Sequence, residues 1–198
     1  LPLEVADNLA APSPDEAAVA EAAEPAPTEP AKEMPLVFIT GASSGIGKAT
    51  AEIFAKNGYR LLLAARREER LEEIKTNLQA TCNTDIHLLN LDVRNLQAVK
   101  DAIENLPEDW KNVDILINNA GLARGLAPIH EGDVEHWEQM IDTNIKGLLY
   151  LTRAVSPHMV ARRQGHIINV GSAAGKEVYP NGNVYCATKF AVDALTNA

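Results

Sequence analysis

Apolar and polar positions fall in blocks along this chain. Short, nearly unbroken apolar runs recur as LVFIT (36–40), RLLLAA (60–65), DIHLLNLDV (85–93), VDILINN (113–119) and GHIINVGS (165–172). Runs of this length, rich in Leu, Ile and Val and without strict alternation, predict strands buried on both faces, as in a parallel sheet. Between them the apolar residues switch to helical spacing: Leu71, Ile74 and Leu78 in one stretch, Leu96, Val99, Ile103 and Leu106 in the next. Strands alternating with crossover helices predict an α/β fold, a doubly wound parallel sheet with helices on both faces.

A long helix is predicted from Asp133, a capping residue, through VEHWEQMIDTNIKGLLYLTRAV (134–155) until Pro157 disturbs it. Trp137, Ile141, Leu148, Leu151 and Val155 form its inner stripe, and Asn144 sits within that stripe. A buried amide there requires hydrogen-bonding partners. The segment VYCATKFAVDAL (184–195) also reads as helical, so Tyr185 and Lys189, four apart, project from one face.

Composition divides the chain in two. Residues 1–34 are Ala, Pro and Glu with eight carboxylates against Lys32 alone, so seven of the nine net negative charges lie there. Little in that segment can be buried, and it is expected to be a disordered tail or linker, with a docking segment or the end of a fused upstream domain as the alternative. Residues 35–198 are expected to form one domain, in keeping with 46% hydrophobic content. The two net negative charges left there argue against a nucleic-acid surface. Cys82 and Cys186 are far apart in sequence, and His130, His136, His158 and His166 show no ligand spacing, so no metal site is expected. No apolar run is long enough for a bilayer, and the N-terminus lacks the plan of a secretory or transit segment, so the expectation is a cytoplasmic protein without membrane partners.

The candidate chemistry begins at Thr40-Gly41-Ala42-Ser43-Ser44-Gly45-Ile46-Gly47, between the first strand and the helix IGKATAEIFAKNG that ends at Gly58. Gly41 suits a tight turn, Gly45 lets backbone approach a pyrophosphate, Gly47 permits close helix–sheet packing, and the helix N-terminus offers N–H donors to an anion. An NAD site would place an acidic residue at the end of the second strand; here Ala64-Ala65-Arg66-Arg67 offers two guanidinium groups, which favours the 2'-phosphate of NADP. The same pair could instead be a solvated couple offset by Glu68 and Glu69. The fourth run ends in Asn118-Asn119-Ala120-Gly121, small residues that admit a flat ligand or form an ordinary turn. Ser172 follows the fifth run at the sheet edge where such folds hold ligands, or caps a turn there.

Together, T-G-x-x-x-G-I-G, N-N-A-G, the helical Asn144, Ser172 and Y-x-x-x-K resemble the short-chain dehydrogenase/reductase family from Pro35 to Ala198. Segments such as AARREERLEEI and NGNVYCATKFAV are most like its NADP-dependent 3-hydroxy acid dehydrogenases, which oxidise serine, L-allo-threonine and related acids. The resemblance implies a Rossmann-type oxidoreductase moving hydride between NADP(H) and a small hydroxy acid or carbonyl. Tyr185 would be the acid/base and Ser172 the donor to the substrate oxygen. Lys189 would bind the nicotinamide ribose and ease deprotonation of the tyrosine, and Asn144 would hold a relay water. A free phenol titrates near 10, so this role needs roughly 4 kcal/mol of preferential phenolate stabilisation. Ser43, Ser44, Ile46, Asn119, Ala120 and Gly121 would border the cofactor; Asp92, with Val93 beside it, would meet the adenine, although alone Asp92 reads equally as a turn residue. The resemblance further implies a homodimer or homotetramer, and a C-terminally truncated fold, since family members continue through two more strands and a substrate-covering segment. The other readings are a non-catalytic dinucleotide-binding module and a family member acting on a different carbonyl.

Overall fold

The computed structural model describes residues 34–198; the acidic segment and the tail or docking role expected of it lie outside the described residues. Five parallel strands run β1 (Leu36–Thr40), β2 (Arg60–Ala65), β3 (Ile86–Asn90), β4 (Ile115–Asn118) and β5 (His166–Asn169), in the spatial order β3-β2-β1-β4-β5. The order reverses at β1, so the carboxyl ends of β1 and β4 diverge into the crevice where open α/β sheets place ligands.

Why the strands are apolar throughout follows from the two cores they separate. On β1, Leu36 and Phe38 point into one cluster, and Val37 and Ile39 into the other. On β2, Leu62 and Ala64 alternate with Leu61 and Leu63 in the same way. The first cluster is closed by Val99 and Ile103 of α3 (Leu96–Glu104) and by Leu151, Val155 and Met159 of α6 (Leu148–Arg162). The second is closed by Ala51 and Ala55 of α1 (Gly45–Lys56) and by Leu71, Ile74 and Leu78 of α2 (Glu68–Thr81). The stripes at Leu71, Ile74 and Leu78 and at Val99, Ile103 and Leu106 therefore land on the sheet, whereas Leu96, read as part of the second, is exposed.

Two helix ends behave as their chemistry dictates. Asn95 caps α3 by accepting from the Ala98 N–H at 3.0 Å. Past α1, Gly58 takes φ +75, and its N–H and that of Tyr59 bond back to the Ala55 and Phe54 carbonyls. A single turn, α4 (Glu108–Lys111), precedes β4.

The long helix departs from expectation twice. It divides into α5 (Val134–Ile141), a π-type turn (Asp142–Gly147) and α6. The extra residue per turn shifts the buried face: Met140, Thr143, Asn144 and Gly147 are buried, whereas Trp137 and Ile141 are only partly so. Pro157, in turn, does not end the helix, which runs on to Arg162. Both Pro157 and Arg153, whose carbonyl loses its partner, are exposed, so water can satisfy that carbonyl. The strands are also shorter than the apolar runs that predicted them, and residues 91–93 and 170–172 lie beyond the strand ends.

The last helix, α7 (Asn183–Asn197), is held by the loop after β5. A Cβ at Gly175 would come within 2.6 Å of the Lys189 carbonyl oxygen, so the glycine lets that loop press directly on the helix backbone.

Candidate active site

A cleft of about 430 Å³ opens at the carboxyl ends of the strands. At one end its wall is the loop after β1, with Gly41, Ser43, Ser44 and Ile46. Arg66, Arg67, Asp92 and Val93 flank that end; Asn119, Ala120 and Gly121 form the middle, and Tyr185 and Lys189 the far end. Gly45, Gly47, Asn144 and Ser172 stand behind or beside this wall. The sequence had not pointed to Leu91, Leu122, Thr143 or Val170, which also line it; they carry no distinctive chemistry, and only the sheet's carboxyl edge brings them together.

The loop is built around two close approaches. Gly41 has φ +65, and a Cβ there would lie 2.9 Å from the Asn119 amide nitrogen. A Cβ on Gly47 would collide with the Gly41 carbonyl oxygen and with the Asn119 amide nitrogen, so Gly47 lets the start of α1 press on both the loop and the end of β4. Gly45, at φ +54, meets nothing within 4 Å and leaves the backbone open at the start of α1. The Ser44 hydroxyl makes no capping bond to α1, which leaves the first N–H groups of that helix to an anion.

That hydroxyl is engaged by Arg67, whose guanidinium donates to Ser43 Oγ and Ser44 Oγ, both at 3.0 Å. Arg66 is exposed in the same wall, and its guanidinium makes no hydrogen bond or ion pair among the described residues. Asp92 forms the turn that was one reading of it, and it also lines the cleft. It closes a turn, with its carbonyl accepting from Asn95 N–H, and its carboxylate lines the cleft while held in a fork by Arg94 at 2.6 Å. Hydrogen bonds from Arg94 hold this carboxyl below its ordinary pKa, against the opposing effect of burial.

The amides at the end of β4 brace the floor. Asn119 donates to the Thr40 and Gly41 carbonyls at 2.8 and 3.3 Å, and Thr40 Oγ1 accepts from the Asn119 and Ala120 N–H groups. Asn118 bonds to Thr152 and Asn169 instead, away from the cleft. Asn144 finds the partners that its burial demanded: its amide donates to Leu122 O at 2.9 Å and Thr188 Oγ1 at 3.0 Å, and its Oδ1 accepts from Leu122 N–H. Both donors are thus spent, and one acceptor position is left for a water. Ser172 caps the short turn Ala173–Gly175, with Oγ accepting from Ala174 N–H at 3.2 Å, so its own proton is free for another acceptor.

Lys189 is 8% exposed, has no carboxylate partner, and donates from Nζ to the Val170 carbonyl at 2.8 Å. Burial lowers its pKa below an ordinary lysine's 10.5. Because the folded value is the lower one, the unfolded chain binds the extra proton in the window between the two, and stability rises with pH there. The stability of the wild type relative to Lys189→Met is therefore expected to increase as pH climbs toward 10.5. Urea titrations of both proteins at several alkaline pH values would show it; a difference that stays flat or falls would contradict the burial argument. Tyr185, one turn before on the same helix and half-buried, makes no hydroxyl hydrogen bond among the described residues.

A phosphate-ready helix start, free guanidinium at the second strand's end and a Tyr/Lys pair in one cleft agree with the comparisons. The family model for short chain dehydrogenase matches residues 35–198. The chain belongs to this family. Among its relatives, the NADP-dependent 3-hydroxy acid dehydrogenase YdfG of Escherichia coli K12 is 49% identical over 154 residues, covering 78% of this chain and 60% of that protein. The NADP-dependent 3-hydroxy acid dehydrogenase of Schizosaccharomyces pombe is 44% identical over 163 residues, covering 82% and 63%. Among solved short-chain dehydrogenases, the closed form of serine dehydrogenase complexed with NADP+ superposes with a TM-score of 0.76 at 49% identity, covering 82% of this chain and 64% of that one. The chain thus spans about 60% of the length of the curated relatives it matches.

Proposed function

We propose that residues 35–198 act as one Rossmann unit that binds NADP(H) and interconverts a small hydroxy acid, of the serine or 3-hydroxypropionate kind, with its carbonyl. The single observation that carries this reading is the cleft itself, with guanidinium groups and a helix start at one end and the Tyr185/Lys189 pair at the other. The residues fit a phosphorylated dinucleotide. The open N-terminus of α1 suits a pyrophosphate, Arg66 and Arg67 suit a 2'-phosphate where an acidic residue would repel it, and Asp92 offers an acceptor to an adenine amino group.

When bound, the nicotinamide supplies the hydride acceptor for oxidation and the donor for reduction. Tyr185 takes the substrate hydroxyl proton in oxidation and returns it in reduction. Lys189, with one ammonium hydrogen on Val170 O, keeps others for a ribose hydroxyl, and its charge favours the phenolate. Ser172 steadies the substrate oxygen with the proton that its capping bond leaves free. Asn144 positions the loop at Leu122 and, through Thr188, the Tyr/Lys helix.

We place the protein in a reducing, cytoplasmic setting: Cys82 and Cys186 are both unpaired, and no helix among the described residues is long and apolar enough to cross a membrane. Assembly as a homodimer or homotetramer belongs to the same proposal, supported by apolar side chains left exposed on α6 and α7, Leu149 and Phe190 among them.

The test is paired. NADPH titration by fluorescence is expected to show binding, and NADP+ reduction is expected with L-serine or 3-hydroxypropionate. Cofactor binding with no turnover of any hydroxy acid would leave a non-catalytic dinucleotide module in place of the enzyme.

A further inference from the structure

A hydroxy acid brings a carboxylate into a partly desolvated cleft, and that charge is costly there without a counter-charge. Of the cations assigned so far, none is left uncommitted near the reacting carbon. Arg66 and Arg67 stand at the opposite end, and Lys189 is directed at Val170 O. Tyr185, however, borders a second, smaller hollow as well as the cleft. The chain passes from one to the other within two residues: Ala123 lines the cleft and Arg124 the hollow. The hollow measures about 20 Å³, enough for a polar group little larger than water.

We infer that Arg124 anchors the substrate carboxylate, which makes it the residue that selects hydroxy acids over neutral alcohols at this site. This rests on the proposed dehydrogenase reading and adds the group that recognises the acid. The root of the side chain is fixed, because the Arg124 N–H bonds to Met140 Sδ at 3.4 Å. The residue is exposed, and its guanidinium makes no hydrogen bond or ion pair among the described residues. Asp133 and Asn183, two of the other polar groups of the hollow, are occupied, whereas Asn181, the Trp137 indole and the Tyr185 hydroxyl make no side-chain hydrogen bond among the described residues. Asp133 caps α5 through Glu135 N–H at 2.8 Å and faces His136 at 3.7 Å. Asn183 donates to Ala127 O at 3.1 Å and accepts from Val184 N–H. In a 3-hydroxy acid the carboxylate carbon lies two bonds from the carbinol carbon, so an acid held with its hydroxyl at Tyr185 must put its carboxylate close by. A planar guanidinium at that point can receive it in a two-pronged bond.

The experiment compares 3-hydroxypropionate with its methyl ester, which removes the charge and keeps the carbinol. For Arg124→Met the ratio of kcat/KM for acid to ester is expected to fall roughly 30- to 100-fold, mainly through KM, as loss of a charge-assisted bond predicts. Arg124→Lys is expected to recover part of that ratio by keeping the charge without the fork. NADPH affinity, titrated on each variant, is expected to stay within about twofold, which separates a substrate contact from a misfolded cleft. If the wild type turns over both compounds and Arg124→Met leaves the ratio unchanged, Arg124 is not the anchor and the dehydrogenase reading stands. If the wild type binds NADPH and oxidises neither compound, the dehydrogenase reading fails and this inference falls with it.

Discussion

Tyr185→Phe is expected to lower NADP+-dependent oxidation of a hydroxy acid by about 10³-fold or more, while NADPH binding changes little. The structure makes this a clean deletion. The phenolic hydroxyl has no hydrogen bond among the described residues, and the side chain is half-buried on a helix anchored by the buried Cys186, Thr188 and Lys189. Removing one oxygen leaves that packing intact and takes away only the group that exchanges the substrate's proton. Lys189 cannot substitute, because a buried ammonium already tied to Val170 O serves as a fixed charge in this site. Stopped-flow or steady-state rates of nicotinamide reduction, set beside NADPH fluorescence titration, would check it. Residual turnover above about a tenth of the wild type would show that another group carries the proton.

The second large effect is expected at the other end of the cleft. Arg66→Asp should weaken NADP(H) by roughly 30- to 100-fold relative to NAD(H), because it exchanges a free guanidinium for a charge that repels a 2'-phosphate. Arg66 is the more informative of the two arginines. Arg67 is already committed to Ser43 and Ser44, so its loss would also loosen the loop between β1 and α1, whereas Arg66 makes no contact of that kind. Being exposed, the Arg66 contribution should also shrink as salt is raised. Titrations with NADPH and NADH at two ionic strengths would decide it, and equal losses for both cofactors would remove the 2'-phosphate assignment.

Much of the site could be read along the chain because its chemistry is local. The turn at Gly41, the serines after it and the paired arginines each sit at the carboxyl end of a strand that an apolar run announces. Tyr185 and Lys189 needed only helical spacing to share a face. The partners of Asn144 were less legible, since its position does not show which neighbours will hold its hydrogen bonds, whereas a turn cap was one of the two readings of Ser172. Asn144 spends its donors on Leu122 and on Thr188, 44 residues away, and Ser172 caps the turn that follows it. The π-type turn at 142–147 and the helix that continues past Pro157 were missed for a related reason. Local propensity marks a proline as a break, but whether its free carbonyl can reach water is settled by the surface the helix presents. Arg124 carries no motif at all, and its candidacy arises only because the fold sets it beside Tyr185 in one hollow.

By itself, the order of amino acids determined the alternation of strands and helices, the paired arginines at the end of the second strand and the Tyr/Lys pair, because apolar periodicity, glycine geometry and charge act over a few residues. Tertiary structure alone decided which side chains face one another across the cleft: Arg67 on the loop serines, Asn119 on the end of β1, Lys189 on the carbonyl beyond β5. Those contacts join segments 24, 79 and 19 residues apart. They follow from the strand order reversing at β1, a long-range outcome of packing two cores against one sheet.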